Sequence, residues 1–144
     1  MEFQDKVVVV TGGAKGIGKC IAEMFQKEGA HVCIIDTEKN DYFQGDVGSQ
    51  DILEQFHQKV IDDYGHIDYL IHNAKPLFKG IEECSYDEFQ YALSVGVTGP
   101  FYLTKLFQDD FHKGGCIINI SSSRDGMSQP QSESYSAAKG GIHA

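Results

Sequence analysis

Tyr135 and Lys139 stand four residues apart in the run YSAAK, a spacing that puts both side chains on one face of a helix. A free tyrosine ionises near pH ~10, so only about one in a thousand is phenolate at neutrality. An ammonium ~4 Å away, at an effective dielectric of ~20, favours the phenolate by roughly 4 kcal/mol. That attraction brings the phenol into range as a general acid/base near neutral pH. Without context, the pair reads more readily as two exposed helix residues. Context comes from Ser121, Ser122 and Ser123, which close the apolar run GCIINI. A hydroxyl at the carboxyl end of a buried strand can hydrogen-bond a substrate oxygen while Tyr135 exchanges its proton. One serine alone there is a turn former.

A second constellation is TGGAKGIG, Thr11 to Gly18, between an apolar run and a helical pattern. Glycines at Gly12, Gly16 and Gly18 allow a tight turn and let a pyrophosphate approach a helix N-terminus, with Lys15 and Ile17 beside it. A Gly-rich turn by itself is weak, because turns use Gly for steric reasons. Asp36 strengthens it by closing the next strand, where its carboxylate can accept hydrogen bonds from ribose hydroxyls. Its charge repels a 2′-phosphate and favours NAD(H). Lys15 argues the other way, since a cation in this loop tolerates that phosphate, so NADP(H) stays open.

The elements that must position these residues follow from periodicity. KVVVV (Lys6–Val10) suits a strand buried on both faces of a parallel sheet. Ile17, Ile21, Met24 and Phe25 predict the apolar face of a helix ending near Gly29, and His31–Asp36 the second strand. From Asp36 to a third strand at Phe43–Asp46 there is room only for a loop or one helical turn. Ser49 is a candidate N-cap for a helix carrying Ile52, Leu53, Phe56, Val60 and Ile61. Asp68–His72 reads as the fourth strand. Ser85–Asp110 reads as one long helix, kinked near Gly96, Gly99 and Pro100. Gly115–Ser122 reads as the fifth strand, and a helix begins at Tyr135. The alternation predicts an α/β fold, a Rossmann-type doubly wound parallel sheet in three αβα layers.

Composition limits the function classes. The 144 residues carry 12 Lys+Arg against 21 Asp+Glu, a net charge of −9 without a basic cluster, so nucleic acid is not an expected partner. No apolar run approaches the ~20 residues of a membrane span, and the start MEFQDK lacks the pattern of a signal peptide. A soluble, cytoplasmic chain is expected. Cys20, Cys33, Cys84 and Cys116 read as small apolar residues, and the six His show no paired spacing, so no metal site is expected.

Together, TGGAKGIG, Asn73-Ala74, NISS at 119–122 and YSAAK resemble the short-chain dehydrogenase/reductase family. The resemblance runs from Val7 to the last residue and implies hydride exchange between NAD(P)(H) and a small-molecule alcohol or ketone. By that likeness Tyr135 is the general acid/base, and Ser122 orients and polarises the substrate oxygen. Lys139 lowers the Tyr135 pKa and holds the nicotinamide ribose. The cofactor set is Gly12, Lys15, Gly16, Ile17, Gly18, Asp36, the Asp46-Val47 pair at the adenine, Asn73, Ala74, Tyr135 and Lys139. The likeness also implies a homodimer or homotetramer for the full-length protein.

Three features depart from the family pattern. Asn-Asn-Ala-Gly reads His72-Asn73-Ala74-Lys75, and Lys75 can face cofactor phosphate, substrate or solvent. The family's catalytic Asn falls on Gly96, whose carbonyl can still hold a relay water. The chain also ends before the family's last strands and substrate lid, which predicts a single domain over 1–144, truncated within the helix carrying Tyr135 and Lys139. Alone, it is expected to be neither well folded nor active. Substrate choice sits largely in that missing portion and in Arg124, Met127 and Gln129, with Arg124 read as a solvent-facing loop residue. Two alternatives remain: an inactive relative that binds nicotinamide nucleotide in a regulatory or structural role, and a methyltransferase, which leaves YSAAK unexplained.

Overall fold

Val7–Val10 alternate their side chains between two apolar layers, and in the computed structural model, which describes Met1–Ala144, all four are buried. Val7 and Val9 join Cys33, Ile35, Leu53, Phe56, Val60, Leu70, Leu103 and Phe107 in the larger core cluster. Val8 and Val10 join Ile71, packed by Ile21 and Phe25, on the opposite face.

The elements run β1 (Val7–Thr11), α1 (Gly16–Lys27), β2 (His31–Asp36), β3 (Phe43–Gln44), α2 (Gln50–Tyr64), β4 (Ile67–His72), α3 (Tyr86–Leu93), α4 (Gly99–Phe107), β5 (Phe111–Asn119) and α5 (Glu133–His143). All strand pairs are parallel, in the order β3-β2-β1-β4-β5. The chain winds outward from β1 to β3, then returns to β4 on the other side. The crevice between the carboxyl ends of β1 and β4 is therefore the topological switch point, where doubly wound sheets bind ligands.

The reduced connection between β2 and β3 is as expected: Thr37–Tyr42 contains no helix. Asn40 organises it, accepting from the Tyr42 and Phe43 N–H groups and donating to the Glu38 and Phe43 carbonyls. Ser49 occupies the N-cap of α2 but makes no side-chain cap bond, whereas Ser85 and Glu88 form a reciprocal capping box at α3.

Several expectations change. The long helix is two helices joined by a π-helical turn, Ser94–Thr98, and it ends at Phe107 rather than Asp110. Pro100, which has no N–H to donate, sits in the first turn of α4 directly after the π-helical turn. β5 starts at Phe111 and ends at Asn119, so the serines lie beyond the strand in a loop and a short 3-10 turn, Ser123–Asp125. The extra length of β5 comes from a bulge: Ile67 pairs with Phe111 and Tyr69 already with Cys116. Met24 and Ile17 are exposed rather than packed, as are Cys20 and Cys116; of the thiols expected to be buried only Cys33 is. No helix is long and apolar enough to cross a membrane.

Candidate active site

A cleft of about 640 Å³ opens at the switch point. Its wall includes every residue expected to meet a cofactor: Gly12, Lys15, Gly16, Ile17, Gly18, Asp36, Asp46, Val47, Asn73, Ala74, Tyr135 and Lys139. Ser121 lines it as well; Ser122 stands one residue outside.

The floor is the turn between β1 and α1. Gly12 and Gly16 have φ of +67° and +57°, the left-handed region that favours glycine. Gly18 is required for a different reason, since a Cβ there would collide with the Gly12 carbonyl and the Asn73 side chain. No side chain caps α1, and the N–H groups of Gly16, Ile17 and Gly18 have no protein acceptor. Orphan donors at a helix N-terminus, with glycines that let a ligand approach, fit a pyrophosphate.

The surrounding polar groups are tied to one another. Asn73 donates from Nδ2 to the Thr11 and Gly12 carbonyls, at 3.1 and 3.0 Å. The Thr11 hydroxyl accepts from the Asn73 and Ala74 N–H groups, both at 3.0 Å. Asn73 thus clamps the glycine turn to the end of β4. Asp36, almost buried, accepts from Ala14 N–H at 3.0 Å and from Glu38 N–H at 2.9 Å. Lys15 forms an exposed ion pair with Glu38 at 2.9 Å, which holds its pKa above the usual lysine value. Asp46 accepts from Gly48 N–H at 2.8 Å and from the Tyr91 hydroxyl at 2.9 Å. Burial and that carboxylate push the Tyr91 phenol up to about 12. Thr11 and Tyr91 were missed in the sequence. Thr11 opens the TGG run and was legible; Tyr91 reaches Asp46 only through tertiary packing.

Opposite the turn, α5 presents Tyr135 and Lys139 on one face. Lys139 is buried and donates to the Ile120 carbonyl at 2.5 Å. Desolvation draws its pKa below the usual lysine value, which eases loss of its charge. Its Nζ lies 5.7 Å from the centroid of the Tyr135 ring. The Oγ of Ser122 accepts from Arg124 N–H at 3.2 Å, so its own proton remains available to donate. The Phe78 ring lies 5.0 Å from that of Tyr135, and Arg124 is half-buried against Phe78 rather than facing solvent.

On the opposite rim of the sheet, unforeseen in the sequence, His66, Asp68 and His112 come together. Asp68 is already engaged by Val7 N–H and Lys6 Nζ, each at 2.9 Å. The two imidazoles stack at 3.6 Å with 20° between their planes, and His66 Nε2 and His112 Nδ1 each lie 3.4 Å from an Asp68 oxygen.

A doubly wound parallel sheet with a glycine turn at its switch point and a Tyr–Lys pair facing it defines a Rossmann-type α/β protein. The sequence profile of the short chain dehydrogenases matches residues 6–144, and the chain belongs to that family. It is 32% identical to an uncharacterized oxidoreductase of Thermotoga maritima, over 99% of this chain and 63% of the relative. It is 33% identical to the L-fucose dehydrogenase of Mus musculus, over 99% of this chain and 58% of that one. Among solved structures, an apo SCOR enzyme from Clostridium thermocellum superposes with a TM-score of 0.88 at 39% identity, covering 96% of this chain and 62% of that one. The chain thus spans about three-fifths of the length of these relatives.

Proposed function

We propose that this chain carries the cofactor site and the acid/base group of an NAD(P)(H)-dependent alcohol dehydrogenase or carbonyl reductase. The observation that carries the reading is the convergence of the glycine turn, Tyr135 and Lys139 on one cleft. Membership of a dehydrogenase family supports it.

The nicotinamide, when bound, supplies the hydride exchange. Gly16, Ile17 and Gly18 hold the pyrophosphate with their free N–H groups, Gly12, whose N–H is bonded to the Ile35 carbonyl, shapes the turn, and Asp46-Val47 sit at the adenine. Asn73 keeps the turn in register with β4, and Ala74 lines the wall between them. Tyr135 takes the proton from an alcohol or returns it to a carbonyl oxygen. Ser122 donates a hydrogen bond from its hydroxyl to that same oxygen and orients it. Lys139, pinned by Ile120, has two further N–H donors for the nicotinamide ribose.

NAD(H) is the preferred cofactor in this reading. The Asp36 carboxylate repels a 2′-phosphate, and Glu38 already engages Lys15, the cation that would otherwise attract it. The test is nicotinamide absorbance over a panel of alcohols and ketones, with L-fucose included because a relative carries that activity in its name. Tyr135→Phe is expected to lower turnover by at least about 100-fold while leaving cofactor affinity within about twofold. Equal turnover in the variant would overturn the assignment. The second reading, a nucleotide-binding protein without turnover, is favoured by one observation: a Cβ at Gly96 would lie 2.6 Å from that of Ala138, so the position that resembles the family's Asn cannot hold its side chain. NADH binding by the full-length protein with no turnover on any panel member would select it.

A further inference from the structure

Two cations stand beside the Tyr135 end of the cleft with no acidic partner. Lys75 follows Asn73-Ala74 beyond β4 and lines the cleft; its ammonium, 5.8 Å from the centroid of the Phe78 ring, makes no hydrogen bond or ion pair. Arg124 reaches the same ring from the turn after Ser122, its Cζ 5.5 Å from the centroid. Phe78 in turn packs on Tyr135. One aromatic ring therefore ties both cations to the group read as acid/base.

Arg124 is the more telling of the two. It is half-buried, yet its guanidinium donates to no group of the protein. Its backbone is fixed by the bond from its N–H to the Ser122 Oγ. The neighbouring Asp125 makes no ion pair with it; that carboxylate accepts from the Ser121 hydroxyl and lies 3.0 Å from the His143 ring nitrogen. The two cations that line the cleft with Lys75 have partners: Lys15 pairs with Glu38, and Lys139 donates to the Ile120 carbonyl. In a chain with 21 acidic residues against 12 basic ones, a guanidinium and an ammonium without a carboxylate partner stand beside one aromatic ring at this end of the cleft. A guanidinium fork matches carboxylate or phosphate oxygens two at a time.

Resting on the reading of Tyr135 as acid/base, we infer that the substrate carries an anionic group a few bonds from its reacting carbon. Arg124 clamps that anion, and Lys75 adds a second positive charge beside the same Phe78 ring. The substrate class is then a hydroxy or oxo acid, or a phosphorylated equivalent. Arg124 and Lys75 act on specificity, through KM, rather than on the proton transfer.

The experiment uses the NADH-loaded protein and two matched pairs of probes: 4-oxopentanoate against its amide, and dihydroxyacetone phosphate against dihydroxyacetone. Equilibrium binding is read from NADH fluorescence, which needs no turnover, and kcat/KM is recorded wherever turnover occurs. At least one anion is expected to bind about tenfold or more tightly than its neutral mate, and which pair shows it tells carboxylate from phosphate. Arg124→Gln is expected to bring that ratio down towards one, and Lys75→Gln to lower it by about threefold. Raising salt from about 50 to about 500 mM should weaken the anion far more than its mate. Melting temperature checks that both variants fold. Anions that bind no better than their neutral mates, or variants that weaken NADH instead of the anion, would overturn the inference. Charge discrimination that persists while Tyr135→Phe leaves turnover unchanged would keep the clamp and discard the acid/base reading.

Discussion

His72 ends β4 almost fully buried, sharing a 3.0 Å hydrogen bond with the Thr104 hydroxyl through Nε2, while its Nδ1 has no partner. Burial draws its pKa down to about 4, from about 6.5 when exposed. Between those two values the unfolded chain binds the proton and the folded chain does not. The stability this provides is complete above pH ~6.5 and disappears as pH falls through ~4, about 3 kcal/mol in all. Urea melts between pH ~7 and ~4 should show that loss, and His72→Asn should remove most of its slope. The paired carboxylates Asp63, Asp68 and Glu88, all held below their usual values, lose their contribution at lower pH and leave this window readable. Charge also governs the far end of the cleft. Asp36→Asn keeps an oxygen for one backbone N–H but removes the negative charge facing a 2′-phosphate. NADPH affinity relative to NADH, measured by fluorescence titration, should rise by about tenfold. Glu38→Gln should add about threefold by releasing Lys15.

The π-helical turn between α3 and α4 shows how an element can be dictated by its neighbour. Gly96 lies at its centre, against Ala138 of α5 and the Pro76 ring. Gly96→Ala should destabilise the protein by about 1–3 kcal/mol through overpacking. Ala138→Gly in the same chain should recover part of that loss, because it removes the methyl group in the way. A double-mutant cycle by thermal or urea unfolding measures the coupling. Such features explain which elements were legible in the sequence. β1, α1 and β2 each follow from a local pattern: four consecutive valines, a glycine turn, an apolar run closed by Asp36. The π turn showed only as a kink, since two glycines and a proline mark weakness in a helix without saying how it resolves. The start of β5 was missed because His112–Gly115 have no strand pattern and are carried by the bulge opposite β4. The glycine turn and YSAAK were legible as motifs of spacing. Phe78, Tyr91 and the half-burial of Arg124 were not, because each depends on a partner brought near only by the fold.

Across the whole molecule, the two edges of the sheet differ. β3 is two residues long and offers little backbone for pairing. β5 is nine residues long, pairs only with β4, and has Ile117 and Ile118 at 41% and 39% exposure, on opposite faces of the sheet. A long edge with apolar residues on both faces is a template for a further strand, from this chain or another. A parallel sheet is ordinarily covered on both faces, and in this 144-residue chain β5 is not. The chain alone should therefore self-associate, with a sedimentation-velocity profile that shifts to larger species as concentration rises through the range of about 10–100 μM. Ile117→Lys combined with Ile118→Lys should shift that transition to higher concentration, because charge on both faces opposes edge-to-edge pairing. The core made by β1, β2, β4, α2 and α4 does not include either residue, so the melting temperature should change little. A chain that remains monomeric throughout, with or without the lysines, would mean that the bulged β5 edge is too irregular to serve as a template.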